Sequence, residues 1–124
     1  MIPQLSPADV RQFYEDGYLI LDNLFSREEV AAMAEAAERL RAAGRELAAA
    51  LPVTGDEAAG EHKVEHAGSQ FVFGGLNGSI RLLRVVWAGG CEPALLACGR
   101  DARITSVVGQ IFGSATAVHL LNQL

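Results

Sequence analysis

Three histidines hold most of the ligating chemistry in this chain: His62, His66 and His119. His62 and His66 stand four residues apart, beside Glu61 and Glu65. On a helix that spacing brings two imidazoles to one face, where a nearby carboxylate can complete a zinc site. Gly60 and Gly68 flank the segment and argue against a stable helix, so it reads as a solvated charged loop. Cys91 and Cys98 fit neither a CxxC pattern nor a zinc spacing, and read as free thiols of a reducing compartment. Arg81 and Arg84 could reach an anion, but among apolar neighbours they read as surface arginines with buried stems. Gly74-Gly75-Leu76-Asn77-Gly78 lacks the GxGxxG spacing of a phosphate loop and reads as a turn.

The elements that would position these groups are signalled along the chain. Ser6 is an N-cap, Pro7 the first helical residue and Gly17 a stop, which predicts a helix from Leu5 to Asp16. Val10, Phe13 and Tyr14 share its apolar face. Tyr18 to Leu21 is continuously apolar and predicts a short strand buried on both faces. Ser26 and Glu29 form an S-x-x-E capping box before an alanine-rich helix that reaches about Leu51, ahead of Pro52. Its apolar stripe is Val30, Met33, Ala37 and Leu40, with Glu35 and Arg39 paired outside and a kink or a split expected at Gly44.

Val53 to Gly60 reads as a polar loop. Lys63 to Phe73 holds one or two strands, with Gln70 to Phe73 the better candidate, and Ile80 to Trp87 is either helix or strand. Pro93 to Cys98 is a short helix. Asp101 caps another through Phe112, with Ile104, Val107, Val108 and Ile111 inward and Gly113 after it. Thr116 to Leu124 is a strand that carries His119 and Asn122. Phe71, Phe73 and Trp87 are expected in the core. The fold class is therefore α+β, with N-terminal helices and a few strands in one domain over 1–124.

Composition narrows the function classes. Of 124 residues 50% are hydrophobic and 20% charged, as in a globular domain. A net charge of -5 with scattered basic residues argues against a nucleic-acid surface. No apolar run approaches the roughly 20 residues of a membrane helix. Met1-Ile2-Pro3-Gln4 shows no signal-peptide pattern, so a cytoplasmic location is expected. A terminal strand with unpaired backbone calls for a neighbour, either a second copy or further sequence, and the third and least favoured alternative is a complete small α+β domain.

The capped first helix, Asp16-Gly17-Tyr18-Leu19-Ile20-Leu21, Phe25-Ser26-Arg27-Glu28-Glu29-Val30 and the alanine-rich helix together resemble the start of the phytanoyl-CoA dioxygenase family. Asp101 to Gly113 and the strand Thr116 to Asn122 resemble the helix and strand ahead of that family's metal motif. The resemblance implies a non-haem Fe(II), 2-oxoglutarate-dependent dioxygenase on a double-stranded β-helix (jelly roll), acting on a small organic substrate. It implies iron held by His-x-Asp and a distant His, and an arginine on the cosubstrate carboxylate. The sequence has no His-x-Asp: Lys63, Ala67 and Leu120 follow its histidines. The chain thus reads as the N-terminal part of such a domain, inactive alone, with no catalytic or metal residue and no cofactor expected on it. What carries over is a 2-oxoglutarate pocket contact at Asn122, with His119 beside it. The alternative is a non-catalytic α+β interaction module that dimerises through its open C-terminal strand.

Overall fold

The structure is a computed structural model that describes residues 1–51, 60–76, 79–115 and 122–124. Two N-terminal helices begin in the same way. Helix α1 (Pro7–Asp16) is capped by Ser6, whose Oγ accepts the Asp9 N–H at 3.2 Å. The Asp9 carboxylate accepts the Ser6 N–H in return at 2.7 Å. Gly17, at φ 81, ends the helix. Helix α2 (Arg27–Ala50) repeats the reciprocal pair with Ser26 and Glu29.

Helix α2 is not split at Gly44 but runs unbroken to Ala50. A Cβ there would stand 2.6 Å from Leu82 Cδ2, so the glycine serves close approach of helix to sheet. Of the expected stripe, Met33 and Ala37 are half-buried. Ala36 and Leu40 are buried, whereas Val30 is exposed. Tyr18 to Leu21 forms no strand, and Tyr18 and Ile20 are 56% and 72% exposed. Apolarity alone cannot make a strand without a ladder partner, and the sheet of described strands contains none beside it.

That sheet is antiparallel in the order β1 (Glu61–His66), β2 (Ser69–Leu76), β3 (Ser79–Val86). The segment read as a charged loop around His62 and His66 is thus strand β1, and the open choice at Ile80 to Trp87 resolves as strand β3. Ala67 and Gly68, at φ 46 and 80, make the two-residue turn into β2. Gly68 therefore closes a hairpin. Gly74 and Gly75, read as part of a turn, continue β2. Asn77 and Gly78 lie outside the described residues, as does most of the Val53 to Gly60 loop.

Phe71 and Phe73 alternate onto one face of β2 and pack with Leu40, Val85 and Ala88 as the core. Leu82, Val64 and Leu47 close its margins. After β3 come α3 (Ala88–Cys91), α4 (Pro93–Gly99) and α5 (Ala102–Phe112). Asp101 caps α5 and Gly113 ends it at φ 64. Val107 and Ile111 are buried, while Ile104 and Val108 are half-buried. Gln110 ties α5 to the N-terminus, since its Nε2 donates to Pro3 O at 2.9 Å and its Oε1 accepts the Leu5 N–H at 2.8 Å. Trp87, expected inside, is 43% exposed. Its left-handed backbone, φ 57 and ψ 46, breaks the alternation of β3 just where the chain turns into α3.

Candidate functional site

Asn122 sits where β3 turns into α3. Leu124 and Val85 exchange two backbone hydrogen bonds, at 2.9 and 3.0 Å, and Gln123 faces Val86. This antiparallel pairing brings Asn122 to Trp87. The Asn122 carbonyl accepts the Trp87 N–H at 2.8 Å and the Ala88 N–H at 3.4 Å. Its side-chain Oδ1 accepts the Gly89 N–H at 3.1 Å. That bond assigns the amide orientation, because only an oxygen can face a backbone N–H. Asn122 Nδ2 is then a buried donor with no partner among the described residues.

The turn around it is held from the other side by buried Ser69. Ser69 Oγ donates to Trp87 O at 2.7 Å and accepts the Cys91 N–H at 2.9 Å. The Cys91 thiol donates to His66 O at 3.2 Å. Side chains are excluded at both glycines of α3. A Cβ on Gly90 would lie 2.3 Å from Gly68 O. One on Gly89 would lie 2.7 Å from Leu96 Cβ and 2.8 Å from Asn122 Nδ2. His119, the other expected pocket residue, lies outside the described residues.

The remaining candidates separate. His62 and His66 share a face of β1, but four residues of strand place them about 13 Å apart, too far for one ion. His66 lies edge-on to Phe71, 5.9 Å between ring centres. His62 Nε2 is buried without a partner among the described residues. No three His, Cys, Asp or Glu side chains gather there to hold a metal. Both cysteines are free thiols. Arg84 is taken by Glu61 in a double hydrogen bond, at 2.9 and 3.0 Å. The pair spans β2 above buried Val72, because Arg84 stands opposite Val72 and Glu61 opposite Gly74. The Arg84 hydrogen bonds hold the Glu61 carboxyl below its ordinary range. Arg39 turns from Glu35 to Glu92, with both bonds at 2.8 Å.

One cluster went unread in the sequence. Arg103 donates to both oxygens of Asp101, at 2.8 and 2.7 Å, and to both oxygens of Glu29, at 2.9 and 2.7 Å. It also donates to Leu24 O at 3.0 Å and lies over the Phe25 ring at 4.4 Å. Its hydrogen bonds hold both carboxyls at a pKa of about 2. With its donors committed, Arg103 is a clamp between α2 and α5 and has no free fork for an incoming anion. The adjoining cavity of about 250 Å³ is bordered by Met33, Ala97 and Cys98. Burial pushes the Cys98 thiol up, away from nucleophilic use.

These elements correspond to a known family. Residues 13–122 match the profile of "Phytanoyl-CoA dioxygenase (PhyH)". The chain belongs to this family. It is also 33% identical over 117 residues to a protein named "Ectoine dioxygenase" from Bordetella bronchiseptica. The aligned region is 93% of this chain and 30% of that relative, so the chain spans under a third of the relative's length. No solved structure matches it. No described helix is long and apolar enough to cross a membrane.

Proposed function

We propose that this chain is the N-terminal part of a non-haem Fe(II), 2-oxoglutarate-dependent dioxygenase that hydroxylates a small organic substrate. The family match over 13–122 carries this reading. The share of the Bordetella relative that the chain covers supports its being part of a larger catalytic domain. In the longer protein the sheet and helices would form the opening of a jelly roll. The described residues offer no ligand set for iron. The metal would be held by residues outside them, and no step through it is assigned to this chain.

For 2-oxoglutarate the fit is partial and specific. The cosubstrate presents two carboxylates and a keto oxygen, all acceptors. Asn122 Nδ2 is a buried donor that lacks an acceptor among the described residues. In this reading Asn122 does two things. Its Oδ1 anchors the turn at Gly89, and its Nδ2 donates to the cosubstrate, with His119 beside it. When bound, 2-oxoglutarate would supply two electrons toward the reduction of dioxygen, the oxidant, by its own oxidative decarboxylation to succinate and carbon dioxide. The chain's own contribution is to hold and orient it.

The test is turnover by the protein translated from the whole reading frame. Supplied with Fe(II) and candidate small-molecule substrates, it should consume 2-oxoglutarate and form succinate. A frame whose later codons encode no His-x-Asp and later His would count against the reading, as would absence of turnover in a metal-loaded, folded protein. The second reading, a non-catalytic module that dimerises through its C-terminal strand, has one observation behind it: among the described residues Leu124 pairs on one side only, with Val85. Concentration-dependent dimerisation by sedimentation, in a protein without turnover, would favour it.

A further inference from the structure

The Asn122 amide is aimed from outside its own segment. The turn from Trp87 to Cys91 sets it, through the Gly89 N–H that donates to Oδ1 at 3.1 Å. A Cβ on Gly89 would stand 2.8 Å from Nδ2, so the amide lies against that turn, and a shift of the turn shifts the donor. The turn has little regular structure of its own. Trp87 is left-handed, α3 is four residues long with two glycines, and no side chain caps its start.

Ser69 braces it from the sheet. Among the described residues it is the one polar residue that is wholly buried, and it opens β2. Its Oγ joins the two ends of the turn, donating to Trp87 O at 2.7 Å and accepting the Cys91 N–H at 2.9 Å. Gly90 N–H shares Trp87 O at 2.8 Å. The brace is itself anchored, because Ser69 pairs with His66 across the hairpin and a Cβ on Gly90 would meet Gly68 O at 2.3 Å. A buried hydroxyl is costly unless its hydrogen bonds are made. Here they are spent on the turn that orients Asn122, and none goes to Asn122 itself.

We propose that Ser69 is a positioning residue for cosubstrate binding: by bracing the Trp87–Cys91 turn from the sheet, it fixes the direction in which Asn122 Nδ2 donates to 2-oxoglutarate. A hydrogen bond weakens steeply as its angle closes, so a small swing of the turn is enough to spoil that contact. Ser69 acts only through the turn and does not meet the cosubstrate. The inference rests on reading Asn122 as the cosubstrate contact, and the failures of the two are distinguishable.

The experiment uses the protein expressed from the whole reading frame, loaded with Zn(II) for binding by calorimetry and with Fe(II) for kinetics. Ser69→Ala should weaken 2-oxoglutarate binding about fivefold and raise its KM by a like factor. The kcat at saturating 2-oxoglutarate and the KM for the organic substrate should stay within about twofold. Ser69→Cys, which fills the core but bonds weakly, should show the same selective loss. The cycle with Asn122→Asp separates positioning from general support. That variant has lost Nδ2, so adding Ser69→Ala should weaken 2-oxoglutarate binding no further. Losses that multiply, or a folded Ser69→Ala protein that binds 2-oxoglutarate as the parent does, would overturn the proposal. Should neither serine variant fold, the unaltered Zn(II) protein gives the answer by NMR. Added 2-oxoglutarate should shift the Asn122 side-chain amide and the Cys91 backbone amide together, and a still Cys91 would overturn the brace. Parental binding in Asn122→Asp would instead remove the Asn122 reading, whereas a loss there with none in Ser69→Ala removes the brace alone.

Discussion

Glu29 and Arg103 lie 74 residues apart in sequence and meet in a parallel double hydrogen bond, with both contacts shorter than 3 Å. The same guanidinium grips Asp101. The pairing joins the N-terminus of α2, where Glu29 also completes the capping box, to the N-terminus of α5, where Asp101 is the cap. One arginine thus fixes the relative placement of two helix starts.

The clamp sets an acid limit on stability. Glu29 and Asp101 titrate at about 2 in the folded protein, below their ordinary values of 4.5 and 3.8. Depressed carboxyl values stabilise the fold above the unfolded values, and that stability is lost as pH falls toward the folded ones. Urea midpoints should therefore be level near neutrality and drop between about pH 4.5 and about pH 2. Glu29→Gln should lower the midpoint at neutral pH and flatten part of that acid slope. A variant with the parental slope would show that the pair is too solvent-screened to matter.

The glycines rank by what lies above them. At Gly44 the obstructing atom is the mobile end of Leu82, and alanine regains helix propensity worth about 1 kcal/mol. Gly44→Ala should be close to neutral. At Gly90 the obstruction is a backbone carbonyl at 2.3 Å, which can yield only by moving the β1–β2 turn or α3. Gly90→Ala should cost upward of about 2 kcal/mol. Equal thermal midpoints for the two variants would contradict the packing at the Gly68–Gly90 contact.

Much of the helical layer was legible because its signals are local. Ser6 with Gly17, Ser26 with Glu29, and Asp101 with Gly113 each announce a helix end within a few residues, and each stands where expected. The misreadings needed partners distant in sequence. Tyr18 to Leu21 has strand composition but no strand beside it. Gly60 and Gly68 looked like helix breakers, and only the pairing of Glu61–His66 with Ser69–Gly74 reveals Gly68 as a hairpin turn. Glu35 and Arg39 have ideal helical spacing, yet Glu92, 53 residues away, takes the arginine. The Arg103 clamp is the same case, since nothing near residue 103 in sequence points to Glu29. Asn122 was singled out through the family resemblance. Its bond to Gly89 required the turn at Trp87, a left-handed residue that no sequence signal announces.

Ser69 makes a further prediction. Its hydroxyl is fully buried and serves Trp87 O and Cys91 N–H together. Ser69→Ala strands the Cys91 N–H, while Trp87 O keeps the Gly90 N–H at 2.8 Å. One buried donor left unpaired costs about 1–3 kcal/mol. Trp87 is the only tryptophan in the sequence, so its fluorescence reports this turn without labelling. The variant should unfold at lower denaturant and show a shifted emission maximum in the folded state. An unchanged spectrum would mean that Trp87 holds its left-handed backbone without the serine.

The two ends of the Asn122 amide can be tested apart. Asn122→Asp keeps an oxygen for the Gly89 N–H and removes the Nδ2 donor, whereas Asn122→Ala removes both. In the protein from the whole reading frame, Asn122→Ala should lose stability, by about 1 kcal/mol for the lost Gly89 bond. Asn122→Asp should keep most of it. If Nδ2 donates to the cosubstrate, Asn122→Asp sets a carboxylate against a carboxylate, and the KM for 2-oxoglutarate should rise at least about tenfold. The KM for the organic substrate should move far less. A folded Asn122→Asp enzyme with an unaltered 2-oxoglutarate KM would confine Asn122 to its structural bond with Gly89 and take it out of the cosubstrate pocket.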